Sequence, residues 1–256
     1  IRHLSFRIST QTGKVLIALV CSDYPSKLII DLAKSWYTSS NSIAGVTVNI
    51  QPSNSNIIFG SKTILLIGKP YIEEILCNLK FRINTTSFFQ LNHDQTEKIV
   101  YKICNWFKDS KIKTIIDAYC GIGTISLPLA KSGFNVIGIE IHESSIKHAN
   151  ENAKINQLTT VQFMHGDVSQ YLSSYLEDSY GLVLDPPRKG IDHKTLDVIC
   201  RVQPSMIAYL SCNPSTMLRD IKYLIDKTNY SIETIYPIDF FPQTTHLECL
   251  AFLKIN

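Results

Sequence analysis

Several side chains stand where a sheet would present its chemistry. Cys212 lies in Tyr209-Leu210-Ser211-Cys212-Asn213-Pro214. An apolar run over 206–210 reads as a buried strand that ends abruptly in small and polar residues. Pro214 suits the first turn of a helix, where its missing N–H has no partner to lose. A thiol between a strand and a crossover helix is placed for nucleophilic chemistry, although a cysteine taken alone packs as a small hydrophobe. A second stretch, Asp185-Pro186-Pro187-Arg188-Lys189-Gly190, follows another apolar run. Its two prolines restrict the backbone and hold the Asp185 carboxylate at the mouth of the sheet, while Arg188 and Lys189 add cations suited to phosphate.

A third constellation is built for a ligand of different shape. Ile115-Ile116-Asp117-Ala118-Tyr119-Cys120-Gly121-Ile122-Gly123-Thr124 reads as a strand, a glycine turn and a helix start. Gly121 and Gly123 permit a tight turn and close backbone approach. Position 126 is serine, so the dinucleotide fingerprint is incomplete. The next strand ends in Glu140, about 20 residues beyond the glycines, where an acid accepts from ribose hydroxyls. Loop and acid together favour a nucleoside-bearing cofactor. Asp167, at the tip of the following strand, is placed either to accept from an adenine amino group or to cap a helix.

The elements that must position these groups alternate. From residue 92 onward a helix over 94–107 precedes strands at 114–117, 135–140, 161–165, 181–185, 206–210, 231–238 and 247–253. Helices begin near 124, 143, 169, 194 and 214. This βαβ rhythm predicts a mostly parallel sheet covered on both faces, with the last two strands free to pair antiparallel at its edge. Residues 1–90 differ: strands at 3–8 and 15–20 bracket a Thr12-Gly13-Lys14 turn, a helix covers 26–37, and strands follow at 43–50, 63–67 and 79–83. The expected organisation is a small α+β subdomain over 1–90 that shapes the site and contacts substrate, followed by an α/β domain over 91–256.

Composition bounds the setting. The 256 residues are 45% hydrophobic and carry a net charge of +3. No apolar run approaches the roughly 20 residues of a membrane helix, and a soluble, monomeric protein is expected. The seven cysteines show no CxxC spacing, which gives no metal site and fits a reducing cytoplasm. Residues 1–90 hold nine Lys/Arg against four Asp/Glu, and the remainder sixteen against eighteen. A basic flank on a near-neutral body is compatible with nucleic acid.

Taken together, five segments resemble the RNA (uracil-5-)-methyltransferase family: Ser87-Phe88-Phe89-Gln90-Leu91-Asn92, 117–124, 185–190, 210–214 and Asp239-Phe240-Phe241-Pro242-Gln243-Thr244-Thr245-His246-Leu247-Glu248. They run in the family's order from about residue 80 to the C-terminus, and 1–4 and 54–60 are similar to its central domain. The family usually carries an N-terminal OB-like RNA-binding domain, and some members an iron–sulfur cluster; neither has sequence here to build it. The resemblance implies a Rossmann-like class I fold with a seven-stranded sheet and S-adenosylmethionine (SAM) as cofactor. It implies SAM contacts at Gln90, Tyr119, Glu140 and Asp185, a nucleophile at Cys212 and a general base at Glu248. The implied substrate is a uridine in structured RNA, with 23S rRNA favoured over tRNA.

The implied chemistry asks for these residue types. Uracil C5 is too weak a nucleophile to take a methyl group until a thiolate adds to C6. A base must then remove the C5 proton. The target must leave any stacked helix to reach the pocket. Two other readings stay open: an amino-group methyltransferase that needs no thiol, and a non-catalytic RNA- or SAM-binding module. Phe88 and Phe89 are expected in the core, His246 beside substrate, Glu248 or neither, and Arg188, Lys189, Arg219 and Lys222 along the phosphates.

Overall fold

A computed structural model describes residues 1–53, 56–175 and 179–255. The chain forms two compact units, Ile1–Phe88 and Phe89–Asn256.

In the first unit, β1 (His3–Ile8), β2 (Val15–Cys21), β3 (Ile43–Ile50) and β4 (Lys62–Gly68) form a sheet in that order. The β1–β2 and β3–β4 pairs are antiparallel, whereas β2 and β3 run parallel. That parallel pair requires a crossover, supplied by α1 (Lys27–Ser39). Ala33 of α1 sinks into a core of Ile17, Leu19, Val46 and Val48. A hairpin of β5 (Tyr71–Leu76) and β6 (Leu79–Asn84) turns at Cys77 and Asn78, both with positive φ. Positive φ at both central residues is the turn that matches strand twist. The sequence pattern missed β5, because Glu73-Glu74 interrupts its alternation. Glu74 is nonetheless buried, and its carboxylate accepts from the Thr10 and Gln11 amides at 2.7 and 3.3 Å, tying down the β1–β2 turn. Within the family-like stretch 54–60, residues 54 and 55 lie outside the described residues.

The second unit is a seven-stranded sheet with helices between its strands. In chain order the elements are α2 (His93–Lys108), β7 (Thr114–Ala118), α3 (Ser126–Lys131), β8 (Asn135–Glu140), α4 (Glu143–Ile155), β9 (Val161–His165), α5 (Val168–Ser174), β10 (Gly181–Leu184), α6 (His193–Val202), β11 (Met206–Ser211), α7 (Pro214–Lys227), β12 (Tyr230–Ile238) and β13 (Glu248–Ile255). The sheet order is β12-β13-β11-β10-β7-β8-β9. Strands β9 to β11 are parallel, and β13 enters antiparallel between β11 and β12. The sequence expectations therefore hold to within a residue or two at most ends. The central strands β10 and β11 are buried along their whole length, which is why they read as unbroken apolar runs.

Local signals account for the helices. Asn92 caps α2 by accepting from Gln95 N at 3.2 Å, and Ile99, Val100, Ile103, Cys104 and Phe107 line its buried face. Pro214 opens α7 at its first turn, as expected. Phe107 is fully buried, and a Cβ added at Gly181 would lie 2.4 Å from its ring. Gly181→Ala is therefore expected to destabilise the protein by roughly 1–3 kcal/mol through overpacking. Thermal unfolding checks this; an unchanged Tm would show that Phe107 has room to retreat.

Candidate active site

Sheet direction gathers the polar groups at one edge. Asp185 follows β10 and Cys212 follows β11, and these strands are parallel neighbours with Leu184 opposite Tyr209. Strand β13 runs the other way, so its first residue, Glu248, arrives at the edge where β11 ends; Ser211 pairs with Cys249. Three residues separated by up to 63 positions in the chain thus become neighbours across adjacent strands. The turn carrying Cys212 is held locally. Asn213 N donates to Ser211 Oγ at 3.1 Å, and the Asn213 side chain accepts from Ser215 N at 3.1 Å to cap α7.

The electrostatics are those of one cation among acids. Burial pushes the Cys212 thiol up, the Glu248 and Asp185 carboxylates push it further, and the nearby Arg188 guanidinium opposes them. Glu248 is buried at 5% exposure, and burial raises its carboxyl against the pull of Arg188. Asp185 is pushed up to about 8 by desolvation, then by Glu248 and Asp117. Arg188 Nη2 also donates to His246 Nδ1 at 2.9 Å. Arginine has no acceptor, so this bond assigns the proton of a neutral His246 to Nε2. Arg188 therefore turns towards the thiol and His246, where the sequence reading had aimed it at phosphate.

The glycine loop sits along the same edge. Glu140 Oε2 accepts from Gly121 N at 3.2 Å, and Oε1 from His142 N at 2.9 Å. The carboxylate thus ties the loop to the strand end, and each oxygen retains a lone pair for a ligand hydroxyl. Gly121 has a φ of 56°, and nothing lies within 4 Å of where its Cβ would be; the space beside the loop is open. Tyr119 adopts a φ of 66°, uncommon for a bulky residue and typical of sites that hold strain. Burial pushes its hydroxyl up to about 12. Asp167 acts as the cap of α5, accepting from Ser169 Oγ and, at 3.3 Å, from Gln170 N, with Lys194 Nζ 3.8 Å away. Gln90 is half-buried two residues before Asn92, whose amide donates to Phe240 O at 3.1 Å and brings the 239–247 segment to the start of α2.

Two corrections and one addition follow. Phe89 is in the core, but Phe88 is 70% exposed. Arg219 spends Nε and Nη2 on its own protein rather than presenting them outward. Asp117, which the sequence reading left inside the glycine motif without a role, is buried, with Oδ2 accepting from Ser126 Oγ and Oδ1 without a hydrogen-bond partner. Desolvation pushes its carboxyl up to about 7. Its position, an acid ending a strand before a glycine turn, was the available signal. Among the described residues, no group of His, Cys, Asp and Glu is arranged to hold a metal ion, and no helix is long and apolar enough to cross a membrane.

The sequence profile of the tRNA (uracil-5-)-methyltransferase family matches residues 8–256. The chain belongs to this family. It is 44% identical over 257 residues to a protein of Parasynechococcus marenigrum named as an uncharacterized RNA methyltransferase, covering 99% of this chain and 55% of that one. A Bacillus cereus protein of the same description is 35% identical over 262 residues, covering 100% and 56%. Among solved structures, the tRNA (uracil-54, C5)-methyltransferase of Pyrococcus abyssi, in complex with S-adenosyl-L-homocysteine, superposes with a TM-score of 0.79 at 30% identity, covering 98% of this chain and 59% of that one. The chain thus spans little more than half the length of these relatives. Its second unit has the class I SAM-dependent methyltransferase fold of the family.

The raised carboxyls carry a pH signature. Asp117 and Asp185 ionise near 4 when unfolded but hold their protons to about 7 and about 8 when folded. Between those limits the folded state binds more protons, so stability falls as pH rises. Asp185→Asn is expected to flatten the fall in Tm between about pH 5 and pH 8.5. An equally steep fall in the variant would mean that Asp185 is ionised throughout.

Proposed function

We propose that this protein methylates C5 of a uridine in structured RNA, using SAM and a transient bond between Cys212 and the ring. The observation that carries the reading is the meeting of Cys212, Arg188 and Glu248 at one sheet edge, beside a glycine loop with open space. The residues fit SAM: Glu140 offers lone pairs to ribose hydroxyls, and Gly121 leaves room for backbone approach. The carboxyls of half-buried Asp185 and buried Asp117 suit the ammonium and sulfonium charges, with an Asp117 oxygen lacking any partner. Gln90, Tyr119 and Asp167 complete the assigned pocket. When bound, SAM supplies an electrophilic methyl group and leaves as a neutral thioether.

The protein's own residues do the rest. The resting thiol is protonated, so it releases its proton to solvent before Sγ bonds C6, which leaves Glu248 unprotonated for the later step, and Arg188 stabilises the sulfur while it is anionic. The C5=C6 electron pair moves towards the O4 carbonyl, leaving C5 nucleophilic. Once C5 carries the methyl group, Glu248 takes the C5 proton, the C5=C6 bond re-forms, and Sγ departs from C6. A carboxyl raised by burial is a stronger base than one in water, which suits Glu248 to that step.

RNA contact is assigned to the exposed Lys189 and Lys222 and to the basic first unit, in a cytoplasmic setting that free cysteines support. The favoured substrate is 23S rRNA. A tRNA substrate is the second reading, supported by the description of the P. abyssi relative. Mass mapping of both RNAs after incubation with protein and SAM distinguishes them.

A 5-fluorouridine-substituted transcript of either RNA tests the mechanism, because fluorine at C5 cannot leave as a proton. With SAM, a gel-stable protein–RNA adduct is expected, and Cys212→Ser is expected to abolish it. Glu248→Gln is expected to accumulate an adduct on ordinary uridine RNA, with product release slowed by about 10²-fold or more. Methylated RNA released by Cys212→Ser at the normal rate would refute the thiol route.

A further inference from the structure

The loop that carries Arg188 is held from one side by a single helix. Its prolines set the backbone at 186 and 187 only, so the direction of Arg188 depends on what grips the residues after it. Asn213 Nδ2 and Thr216 Oγ1 donate to Arg188 O at 3.3 and 3.4 Å. Arg219 Nη2 donates to Lys189 O at 3.1 Å and to Ile191 O at 3.3 Å. Asp220 Oδ2 accepts from Ile191 N at 2.8 Å. All four side chains project from the first turns of α7 or its cap.

The grip is itself anchored in the core. Asp220 is fully buried; it accepts from Tyr209 OH at 2.8 Å and pairs with Arg219 Nε at 2.8 Å. Tyr209 lies on β11, three residues before Cys212. A Cβ at Gly190, whose φ is 76°, would lie 2.6 Å from Asp220 Oδ2 and 2.7 Å from Arg219 Nη2. The pair therefore lies flat against the loop, and glycine is the residue that admits it. Asp220 is buried but Arg219 is half exposed, and such a pair is weak evidence for stability, so its use is to be sought in what it orients.

We propose that Arg219 and Asp220 are positioning residues that hold Arg188 beside the Cys212 turn, by fixing the 188–191 backbone to α7, whose cap Asn213 follows Cys212, and to the strand that carries the nucleophile. The proposal rests on the reading of Cys212 as nucleophile, but it can be tested without RNA or SAM. Arg219 acts through a forked guanidinium that lysine cannot reproduce.

The test is the pH dependence of Cys212 alkylation by iodoacetamide, with the site resolved by peptide mass mapping. Removing a nearby cation raises a thiol's ionisation midpoint, by roughly one unit here. Arg188→Ala and Arg219→Ala are each expected to move the midpoint up by that amount, and the double variant no further, because both remove one contact. Arg219→Lys, which keeps the charge and is the better candidate to fold, is expected to move it in the same direction. In methylation assays Arg219→Lys is expected to lower kcat by about tenfold with KM for RNA unchanged. A folded Arg219→Lys or Arg219→Ala with the wild-type midpoint overturns the proposal, as does a rise in KM alone, which would make Arg219 a phosphate contact. Loss of methylation in Cys212→Ser bears on the function and leaves this comparison standing, since alkylation reads the thiol directly.

Discussion

The site depends on one reversed strand. Parallel strands place their carboxyl ends together, so β10 and β11 alone would bring Asp185 and Cys212 to the same edge. A residue on a further parallel strand could join them only from its last position or the loop beyond. Strand β13 enters antiparallel between β11 and β12, and its amino end reaches that edge instead. Glu248 is therefore set at the start of a long, buried, hydrogen-bonded strand. That is a stiffer mount than a loop, as the base role proposed for Glu248 calls for.

This arrangement is electrostatically costly. Cys212, Glu248, Asp185 and Asp117 share a desolvated edge, where each negative charge disfavours the next. Arg188 is the cation that moderates both the thiol and Glu248, and it does so from a loop whose course is set by prolines and by α7. In the proposed mechanism, ionisation that is disfavoured at rest becomes useful when a cationic ligand or an adding ring changes the balance. The same carboxyls make the folded state less stable as pH rises, so reactivity and stability draw on the same groups.

Much of the fold was legible because the second unit is locally consistent. Pro214 in the first turn of α7 and the apolar runs at β10 and β11 each agree with the final topology. Glu140 and Cys212 were legible from position at strand tips. Glu248 was not: its significance comes from pairing with a strand 37 residues earlier in the chain, which no local pattern encodes, and only the family resemblance pointed to it. Strand β5 escaped because Glu74 is buried to hold a distant turn. The grip of Arg219 on the 189–191 backbone was not legible, because a cation near a mouth reads as a phosphate contact until its partners are seen. Asp167 could be cap, ligand or both: Ser169 and Gln170 close by make it a cap through Oδ1, and that contact does not decide the ligand role.

The most direct measurement is hydrogen loss from the carbon that is methylated. With 23S rRNA and tRNA transcripts carrying [5-³H]uridine, thiol-first C5 chemistry requires one tritium to reach solvent for each methyl group incorporated, with neither event in Cys212→Ser. Methyl incorporation without tritium release would place the methyl group on another atom and contradict the roles given to Cys212 and Glu248.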